Sequence, residues 1–186
     1  MLEKVVGFIA KHSGQEHSTL IRIMSLVLGI FVFLIFSPLA LGIAGHLIAE
    51  CVHINVPRTV EMSLGVTGIS VGFFFLFWSV SAFWFVGRGT PFPFASPTRL
   101  VTSGPFNYTR NPIKLGAVLF YFGIGTICDQ LVTGIIMLAI GVLLGTIYHK
   151  SVEEKELVIR FGKNYEDYRK RTSFFIPLSP RKSKKV

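Results

Sequence analysis

Two long stretches without a charged side chain most constrain what this chain can fold into. Residues 23–49 and 62–87 contain no Asp, Glu, Lys or Arg over 27 and 26 positions. A helix needs about 20 consecutive apolar residues to cross the hydrocarbon core of a bilayer. Each stretch is therefore long enough for one membrane-spanning helix.

Two further apolar stretches predict a helical hairpin. Pro112 suits the first position of a helix, and an apolar run follows from 115 to 128. The polar pair Asp129-Gln130 interrupts it, and residues 131–148 form the return run. We therefore expect an all-α integral membrane protein with about four transmembrane helices.

Composition and charge point to the same class of protein. The chain of 186 residues is 51% hydrophobic and 16% charged, whereas soluble domains carry about 25% charged residues. Residues 149–186 hold 11 basic and 5 acidic side chains, which is six of the nine net positive charges. Basic segments beside membrane spans mark the cytoplasmic side. We expect both termini and the 88–114 loop to be cytoplasmic, with membrane lipids and not nucleic acid as the partner of the basic tail.

The polar residues that are not explained by topology lie in two stretches. Residues 87–112 contain five prolines, which exclude a continuous helix, yet they keep several aromatic and aliphatic side chains that a solvated linker would not need. This favours an ordered loop with a function. In the second stretch, Leu157, Phe161, Tyr165 and Tyr168 recur with helical spacing, which predicts a helix with one apolar face.

The predicted hairpin brings charges from both stretches to one membrane face. Arg110 precedes the third span, and Glu153 and Glu154 follow the fourth. A guanidinium binds a carboxylate, and carboxylates bind an ammonium, so this set fits a zwitterion such as the amino-acid end of S-adenosylmethionine. Charge alone fits a phospholipid headgroup equally well and favours a simple interhelical salt bridge. Ser151-x-x-Glu154 also fits a capping box, which is a structural role for Glu154.

The order and spacing of these residues resemble a known family. The pattern begins at Gly89-Thr-Pro-x-Pro, continues through Leu100-Val and Gly104-Pro-Phe-x-Tyr-x-Arg-Asn-Pro to Gly116, and resumes with Glu153-Glu-x-x-Leu-x-x-x-Phe-Gly-x-x-Tyr-x-x-Tyr and Ile176-Pro. It is similar to the isoprenylcysteine carboxyl methyltransferase family, membrane enzymes that also resemble phospholipid methyltransferases. The match covers about residues 87–178.

The resemblance implies an S-adenosylmethionine-dependent methyltransferase acting on a lipophilic or lipidated acceptor. We expect a prenylcysteine-like carboxylate as acceptor, with a phospholipid amine or a noncatalytic scaffold of the same fold as alternatives. By the resemblance, a C-terminal cytoplasmic amphipathic helix encloses the cofactor pocket, and Arg110 and Glu154 are the catalytic residues. The implied cofactor-binding residues are Leu100, Val101, Gly104, Tyr108, Arg110, Asn111, Pro112, Gly116, Glu153 and Glu154. The chain then divides into residues 1–87, with two transmembrane helices, and a methyltransferase core at 88–186.

Two positions depart from the family pattern. Asn111 stands where many members carry His; its amide forms hydrogen bonds but does not titrate. Lys114 stands where the family usually has Tyr, and it would suit an anionic acceptor or headgroup.

Other sequence features leave alternatives open. His46, Glu50 and His53 share a helical face that could ligate a metal, although an interfacial role is the more common one for such a set. Gly68-x-x-x-Gly72 and Gly141-x-x-x-Gly145 favour close helix packing within the subunit over dimerisation; the oligomeric state is not determined. A membrane scaffold, a small transporter subunit and a sterol-reductase-like enzyme are the rival functional classes.

Overall fold

The computed structural model describes residues 17–52 and 54–179. Within these residues the protein is helical, and no strand is present; the nearest approach is one isolated parallel bridge between Thr109 and Ser173. The segments before residue 17 and after 179, which contain Lys4, Lys11 and the terminal lysines of the basic tail, lie outside the described residues.

The first long helix covers Thr19–Ala49 and consists of α1 (Thr19–Ile30), a π-helical segment (Phe31–Phe36) and α2 (Ser37–Ala49). Pro38 is the second residue of α2 and has no N–H to donate to the preceding turn. The π-helical segment ends two residues before this proline.

The remaining helices cover the other three predicted apolar runs and the predicted C-terminal amphipathic helix. They are α3 (Arg58–Phe85), α4 (Pro112–Cys128), α5 (Leu131–Tyr148), a π-helical segment (His149–Glu153), α6 (Glu154–Phe161) and α7 (Lys163–Arg171). Thr19–Ala49, Arg58–Phe85 and Leu131–Phe161 are long and apolar enough to cross a membrane, and Pro112–Cys128 is a shorter apolar helix. Large apolar side chains remain exposed along the first two helices, for example Phe31, Phe36, Phe73 and Phe77, as expected for surfaces that face lipid.

The hairpin prediction is confirmed at its turn. Helix α4 begins at Pro112 and ends at Cys128, and α5 begins at Leu131 after the two polar residues. The capping-box prediction at Ser151 is wrong. The helix does not restart there: it continues from Leu131 to Phe161, Ser151 lies inside it, and the residue before Glu154 makes no side-chain cap.

The chain contains two compact units, each assembled from separate sequence segments. The span unit comprises residues 29–76 and 114–146, and the loop unit comprises the described residues up to 28, residues 77–113 and residues from 147 onward. The division at residue 87 expected from the sequence stays a prediction about function.

Glycines allow the helices of the span unit to pack closely. A Cβ added to Gly72 would lie 2.5 Å from the backbone nitrogen of Phe120 and 2.7 Å from the carbonyl oxygen of Gly116. A Cβ on Gly68 would lie 3.0 Å from the carbonyl oxygen of Leu119. The small residues of α3 therefore contact α4 within the subunit, which is the packing that the sequence favoured.

The loop unit is organised around a small apolar core. Val101, Phe106, Tyr165 and Tyr168 are its buried members, with Leu157 and Phe161 packed against them among others. The four residues with helical spacing thus face one core, although Gly162, at φ +50°, divides their helix into α6 and α7. Phe83 stacks on Phe106 with ring centroids 4.7 Å apart.

Residues 87–112 form an ordered loop. The amide of Thr98 donates to the carbonyl of Gly87 over 2.9 Å, and that of Thr90 donates to Ala95 over 2.7 Å. The N-terminal helix packs on the same unit, because Arg22 lies over the Trp84 ring at 4.0 Å and donates to the Trp84 carbonyl.

Candidate active site

Four charged side chains and one imidazole form a cluster in the loop unit, namely Arg110, Glu153, Glu154, Arg169 and His149. We refer to these five residues as the charged cluster. At its centre Nη1 of Arg110 donates to Oε1 of Glu154 over 2.7 Å. The two side chains are only 11% and 18% exposed, so this is a largely buried ion pair.

The imidazole of His149 lies close to the carboxylates of both Glu153 and Glu154. Its Nδ1 lies 2.6 Å from Oε2 of Glu153, and its Nε2 lies 3.7 Å from Oε1 of Glu154. The imidazole is 3% exposed and belongs to the π-helical segment His149–Glu153. Such π-helical turns inside α-helices occur frequently at functional sites.

Helix α7 supplies the remaining groups around the ion pair. Nη1 of Arg169 lies 3.7 Å from Oε2 of Glu154, and Nη1 of Arg110 donates to the Tyr165 hydroxyl over 3.4 Å. Burial, followed by the neighbouring Glu154 carboxylate, raises the pKa of Tyr165 above its usual value. The phenol therefore stays neutral and acts as a hydrogen-bonding group at physiological pH.

Residues 172–178 form a strap across the segment that carries Arg110. The amide of Arg110 donates to the carbonyl of Ser173 over 2.9 Å, and the amide of Leu178 donates to that of Tyr108 over 3.0 Å. Nδ2 of Asn111 donates to the carbonyl of Phe174 over 2.9 Å. Asn111 thus anchors the strap, a role that its amide fills without titrating.

The strap places one aromatic ring beside the cations of the site. The ring centroid of Phe174 is 5.5 Å from Cζ of Arg110, 5.6 Å from Nζ of Lys150 and 5.3 Å from the ring of His149. The electron-rich face of an aromatic ring attracts cations at such distances.

The other predicted site residues occupy three different environments. The side chains of Leu100 and Val101 pack in or against the core of the loop unit, and Pro112 is buried at the start of α4. Gly104 and Tyr108 line an open cleft. Gly116 lies in the span unit, where an added Cβ would come within 2.8 Å of the Gly72 carbonyl oxygen.

The open cleft has a volume of about 370 Å³ and combines aromatic, polar and cationic groups. Its lining residues are Trp78, Thr102, Ser103, Gly104, Asn107, Tyr108 and Arg171. The rings of Trp78 and Tyr108 lie 6.2 Å apart. Gly104 adopts φ +61°, a left-handed conformation that glycine accommodates best, and an added Cβ there would lie 3.3 Å from the indole nitrogen of Trp78.

The alternative metal site at the end of the first helix is not found among the described residues. His46 contacts Asp129 at 3.0 Å and Glu50 at 3.5 Å, and His53 lies outside the described residues. No group of three or more His, Cys, Asp or Glu side chains suited to a metal occurs in the part of the chain that the structure describes.

The sequence interpretation missed His149, Arg169 and the aromatic Phe174. A signal existed for His149, since it stands four residues before Glu153 and such residues meet on one helical face. Using this signal requires recognising that the helix continues past Tyr148, since only then do His149 and Glu153 share a helical face. Phe174 had no comparable signal, because its position depends on the strap returning over a loop more than 60 residues earlier.

Among the described residues, three helices are long and apolar enough to span a membrane, which is typical of an integral membrane protein. A family model described as phospholipid methyltransferase matches residues 60–164, which is more than half of the chain. The chain therefore belongs to this family of membrane methyltransferases. No curated protein and no solved structure is significantly similar to it.

Proposed function

We propose that this protein transfers a methyl group from S-adenosylmethionine to a lipophilic acceptor in the membrane. The observation that carries the proposal is the charged cluster, which lies on the segments that resemble the family motif. Arg110, Glu153 and Glu154 come from both sides of the hairpin and provide one guanidinium and two carboxylates.

The donor set of the cluster fits the amino-acid end of this cofactor. Nε of Arg110 is buried and has no hydrogen-bond acceptor among the described residues, so the guanidinium retains a donor for a ligand carboxylate. Glu153 and Glu154 provide acceptors for a ligand ammonium. The Tyr165 hydroxyl accepts a hydrogen bond from Nη1 of Arg110, and this contact orients the guanidinium.

Methyl transfer makes modest demands on the residues of the site. The cofactor, when bound, supplies a methyl group activated by a positively charged sulfur. The cluster and the strap hold the donor in place and exclude water. Correct placement of two reactants can lower the barrier by about 7–11 kcal/mol. A carboxylate acceptor is already ionised at neutral pH and needs no general base.

The open cleft is where we place the polar end of the acceptor. Arg171 provides a cation for a carboxylate or a phosphate, while Trp78 and Tyr108 provide the aromatic surface that often lies at a membrane interface. Tyr108 lines this cleft and lies two residues before Arg110, so the same backbone segment serves both sites. This supports an anionic acceptor, for which a prenylcysteine-like carboxylate is our first candidate.

A phospholipid amine is the second candidate, favoured by the description of the family that matches residues 60–164. An amine must lose a proton before or during transfer, whereas a carboxylate does not. The two candidates therefore differ in the pH at which transfer is fastest.

Binding of S-adenosylmethionine to the detergent-purified protein, measured by calorimetry, tests the proposal. We expect the parent protein to bind, and Arg110→Ala and Glu154→Ala to bind at least about tenfold more weakly, since each removes a charge-assisted hydrogen bond. Glu156→Ala is a matched control, because Glu156 is also paired with an arginine, Arg160, at 2.8 Å in the same unit. Absence of binding by the parent protein would exclude the proposed function.

We further propose that both termini and the 88–114 loop face the cytoplasm. The supporting observation is that Lys and Arg concentrate in these segments. Cys51 and Cys128 are exposed free thiols and would then lie on the opposite side. A membrane-impermeant thiol reagent added to intact cells should label both; labelling only after the cells are opened would reverse the orientation.

A further inference from the structure

We infer that the strap and the end of α7 form a surface that binds the anionic headgroups of the membrane, and that this contact strengthens cofactor binding. We refer to Lys170, Arg171, Ile176, Pro177 and Leu178 as the strap surface. The lipid contact is argued from the exposure and charge of these residues, whereas its effect on the cofactor rests on the proposed function.

Exposed apolar side chains on the strap are the first observation. Ile176 is 68% exposed and Leu178 is 57% exposed, and Pro177 between them is also exposed. Neighbouring exposed side chains of this kind mark contact with a membrane or with another molecule. The loop unit also contains one end of each helix that is long and apolar enough to span a membrane among the described residues. The bilayer is therefore the apolar phase next to this unit.

Basic side chains beside the strap are the second observation. The last turn of α7 contains Arg169, Lys170 and Arg171, and the sequence of residues 168–186 has seven basic and no acidic side chains. The Lys170 side chain is 75% exposed, and its contact with Asp167 at 3.4 Å joins two exposed groups, which contributes little to stability. Basic clusters beside membrane spans attract anionic lipids.

The combination of apolar and basic groups identifies the partner as a lipid surface. Segments that lie in the membrane interface bury apolar side chains at the acyl boundary and place Lys and Arg among the headgroups. A free phosphate or a nucleic acid would use the basic groups of the strap surface but would leave Ile176 and Leu178 in water. An anionic leaflet accommodates both kinds of side chain.

Leu178 connects the strap surface to the cofactor site. Its side chain is exposed, while its amide donates to the carbonyl of Tyr108 over 3.0 Å. At the other end of the strap, the carbonyl of Ser173 accepts from the amide of Arg110 over 2.9 Å. A leaflet that holds the Leu178 side chain therefore also holds the strap against the segment that carries Arg110.

The size of the effect depends on how often the strap is closed. A strap that is held by a few backbone hydrogen bonds opens locally without unfolding of the whole unit. If the strap is closed in about a fifth of the molecules at an uncharged surface and in nearly all of them at an anionic one, cofactor affinity rises about fivefold. By linkage, bound cofactor then strengthens the lipid contact by the same factor.

Calorimetric binding of S-adenosylhomocysteine, the product of methyl transfer, to the full chain in lipid nanodiscs tests the coupling. This product has no net charge, so a negative surface does not concentrate it as it would concentrate the cationic donor. We expect binding to be about fivefold tighter with about 30% phosphatidylserine in phosphatidylcholine than with phosphatidylcholine alone. The difference should shrink when the salt concentration rises from about 0.15 M to about 1 M, because salt screens exposed charges.

Hydrogen exchange of the same discs without ligand tests the lipid contact directly. The amides of Arg110 and Leu178 donate hydrogen bonds between the strap and the site segment, so their exchange is slow when the strap is closed. We expect phosphatidylserine to slow the exchange of both amides at least about fivefold.

Two pairs of variants assign the effect to the strap surface. The double variant Ile176→Ser/Leu178→Ser keeps the Leu178 amide and should bind the product with the same affinity in both kinds of disc. Ile159→Ser is its control, because Ile159 is 62% exposed but lies on α6, and it should respond to phosphatidylserine like the parent protein. Lys170→Glu should reduce the response to about twofold or less, whereas Lys163→Glu, at the first position of the same helix, should keep it.

The outcomes distinguish this inference from the proposed function. Equal amide exchange of the parent protein in the two kinds of disc would overturn the inference, and so would a full response to phosphatidylserine by Ile176→Ser/Leu178→Ser. Slower exchange with unchanged affinity for the product would overturn the coupling to the cofactor site. Absence of binding of both donor and product in either disc would instead overturn the proposed function, while the exchange measurement, which needs no ligand, still decides the lipid contact. The comparison of the two discs uses only the parent protein, so it remains decisive if a variant does not fold.

Discussion

The pair of Arg110 and Glu154 has a structural role and a proposed ligand-binding role, and a double-mutant cycle separates them. The variants are Arg110→Met, Glu154→Gln and the combination of the two. Each single change leaves one charge without its partner in a site where the side chains are 11% and 18% exposed. The double change removes both charges together.

The expected cost of each single change follows from the geometry. The ion pair is short, at 2.7 Å, and mostly shielded from water, and removal of one partner from a buried pair costs about 3 kcal/mol or more. For a chain of this length that corresponds to a decrease in melting temperature of about 6–12 °C. The double variant should regain about 2 kcal/mol relative to the sum of the single changes, because neither member of the buried Arg110–Glu154 pair remains without the other.

Thermal unfolding in detergent and calorimetric binding of S-adenosylmethionine give the two readouts. We expect the double variant to recover stability but to bind the cofactor about 10- to 100-fold more weakly, since charge-assisted hydrogen bonds are worth about 1.5–3 kcal/mol. The combination of Glu156→Gln with Arg160→Met, a comparably buried ion pair at 2.8 Å in the same unit, should leave cofactor affinity unchanged. Normal cofactor binding by the Arg110/Glu154 double variant would show that the pair is only a salt bridge, and would refute the proposed clamp.

Two further predictions concern packing and pH. Gly72→Ala should lower the free energy of unfolding by about 1–3 kcal/mol, because its Cβ would lie 2.5 Å from the backbone nitrogen of Phe120. Gly42→Ala is the control and should be tolerated, because the nearest neighbour of its Cβ is a side chain at 4.0 Å. Equal melting temperatures for the two variants would contradict the packing argument. Burial raises the pKa of Tyr168, whose hydroxyl donates to the Phe106 carbonyl over 2.6 Å. The folded state therefore holds its proton above pH 10 while the unfolded state loses it, so stability is complete below about pH 10 and decreases above it. Tyr168→Phe should cost about 1–2 kcal/mol at neutral pH and flatten this alkaline decrease, and an unchanged slope in melting temperature between pH 9 and 11 would argue against the assignment.

The elements that the sequence predicts well are those determined by local pattern. The turn at Asp129-Gln130 is marked by two polar residues between apolar runs, and the start of α4 by Pro112. The meeting of Arg110 with Glu154 follows from the hairpin, because antiparallel neighbours must return to the same end. Each of these features depends on residues close in sequence or on one simple connection.

The features that escaped prediction depend on contacts between distant segments or on continuity of the backbone. The capping pattern at Ser151 indicated a new helix, yet the existing helix continues through a π-helical turn, since its backbone hydrogen bonds persist where the apolar run ends. That continuity places His149 against Glu153. The strap that brings Phe174 to Arg110 depends on backbone hydrogen bonds across more than 60 residues, and these leave no periodic trace in the sequence.

The position of Gly116 illustrates a further limit of motif transfer. In the sequence it ends the loop motif and is expected beside the cofactor. In the structure it packs against α3 in the span unit, where the close approach of Gly72 gives a sufficient reason for glycine. One glycine can therefore satisfy a family motif through helix packing alone.

The most direct test of the account is transfer of a labelled methyl group from S-adenosylmethionine by the purified protein in lipid vesicles. The vesicles would contain either a prenylcysteine analogue with a free carboxylate or phosphatidylethanolamine, with Glu154→Gln as the inactive comparison and Glu156→Gln as the active one. The account predicts label in the lipid fraction with the parent protein and with Glu156→Gln, and a loss of at least about tenfold with Glu154→Gln. Equal transfer by Glu154→Gln and the parent protein, or cofactor binding without transfer to any amphiphile offered, would contradict it.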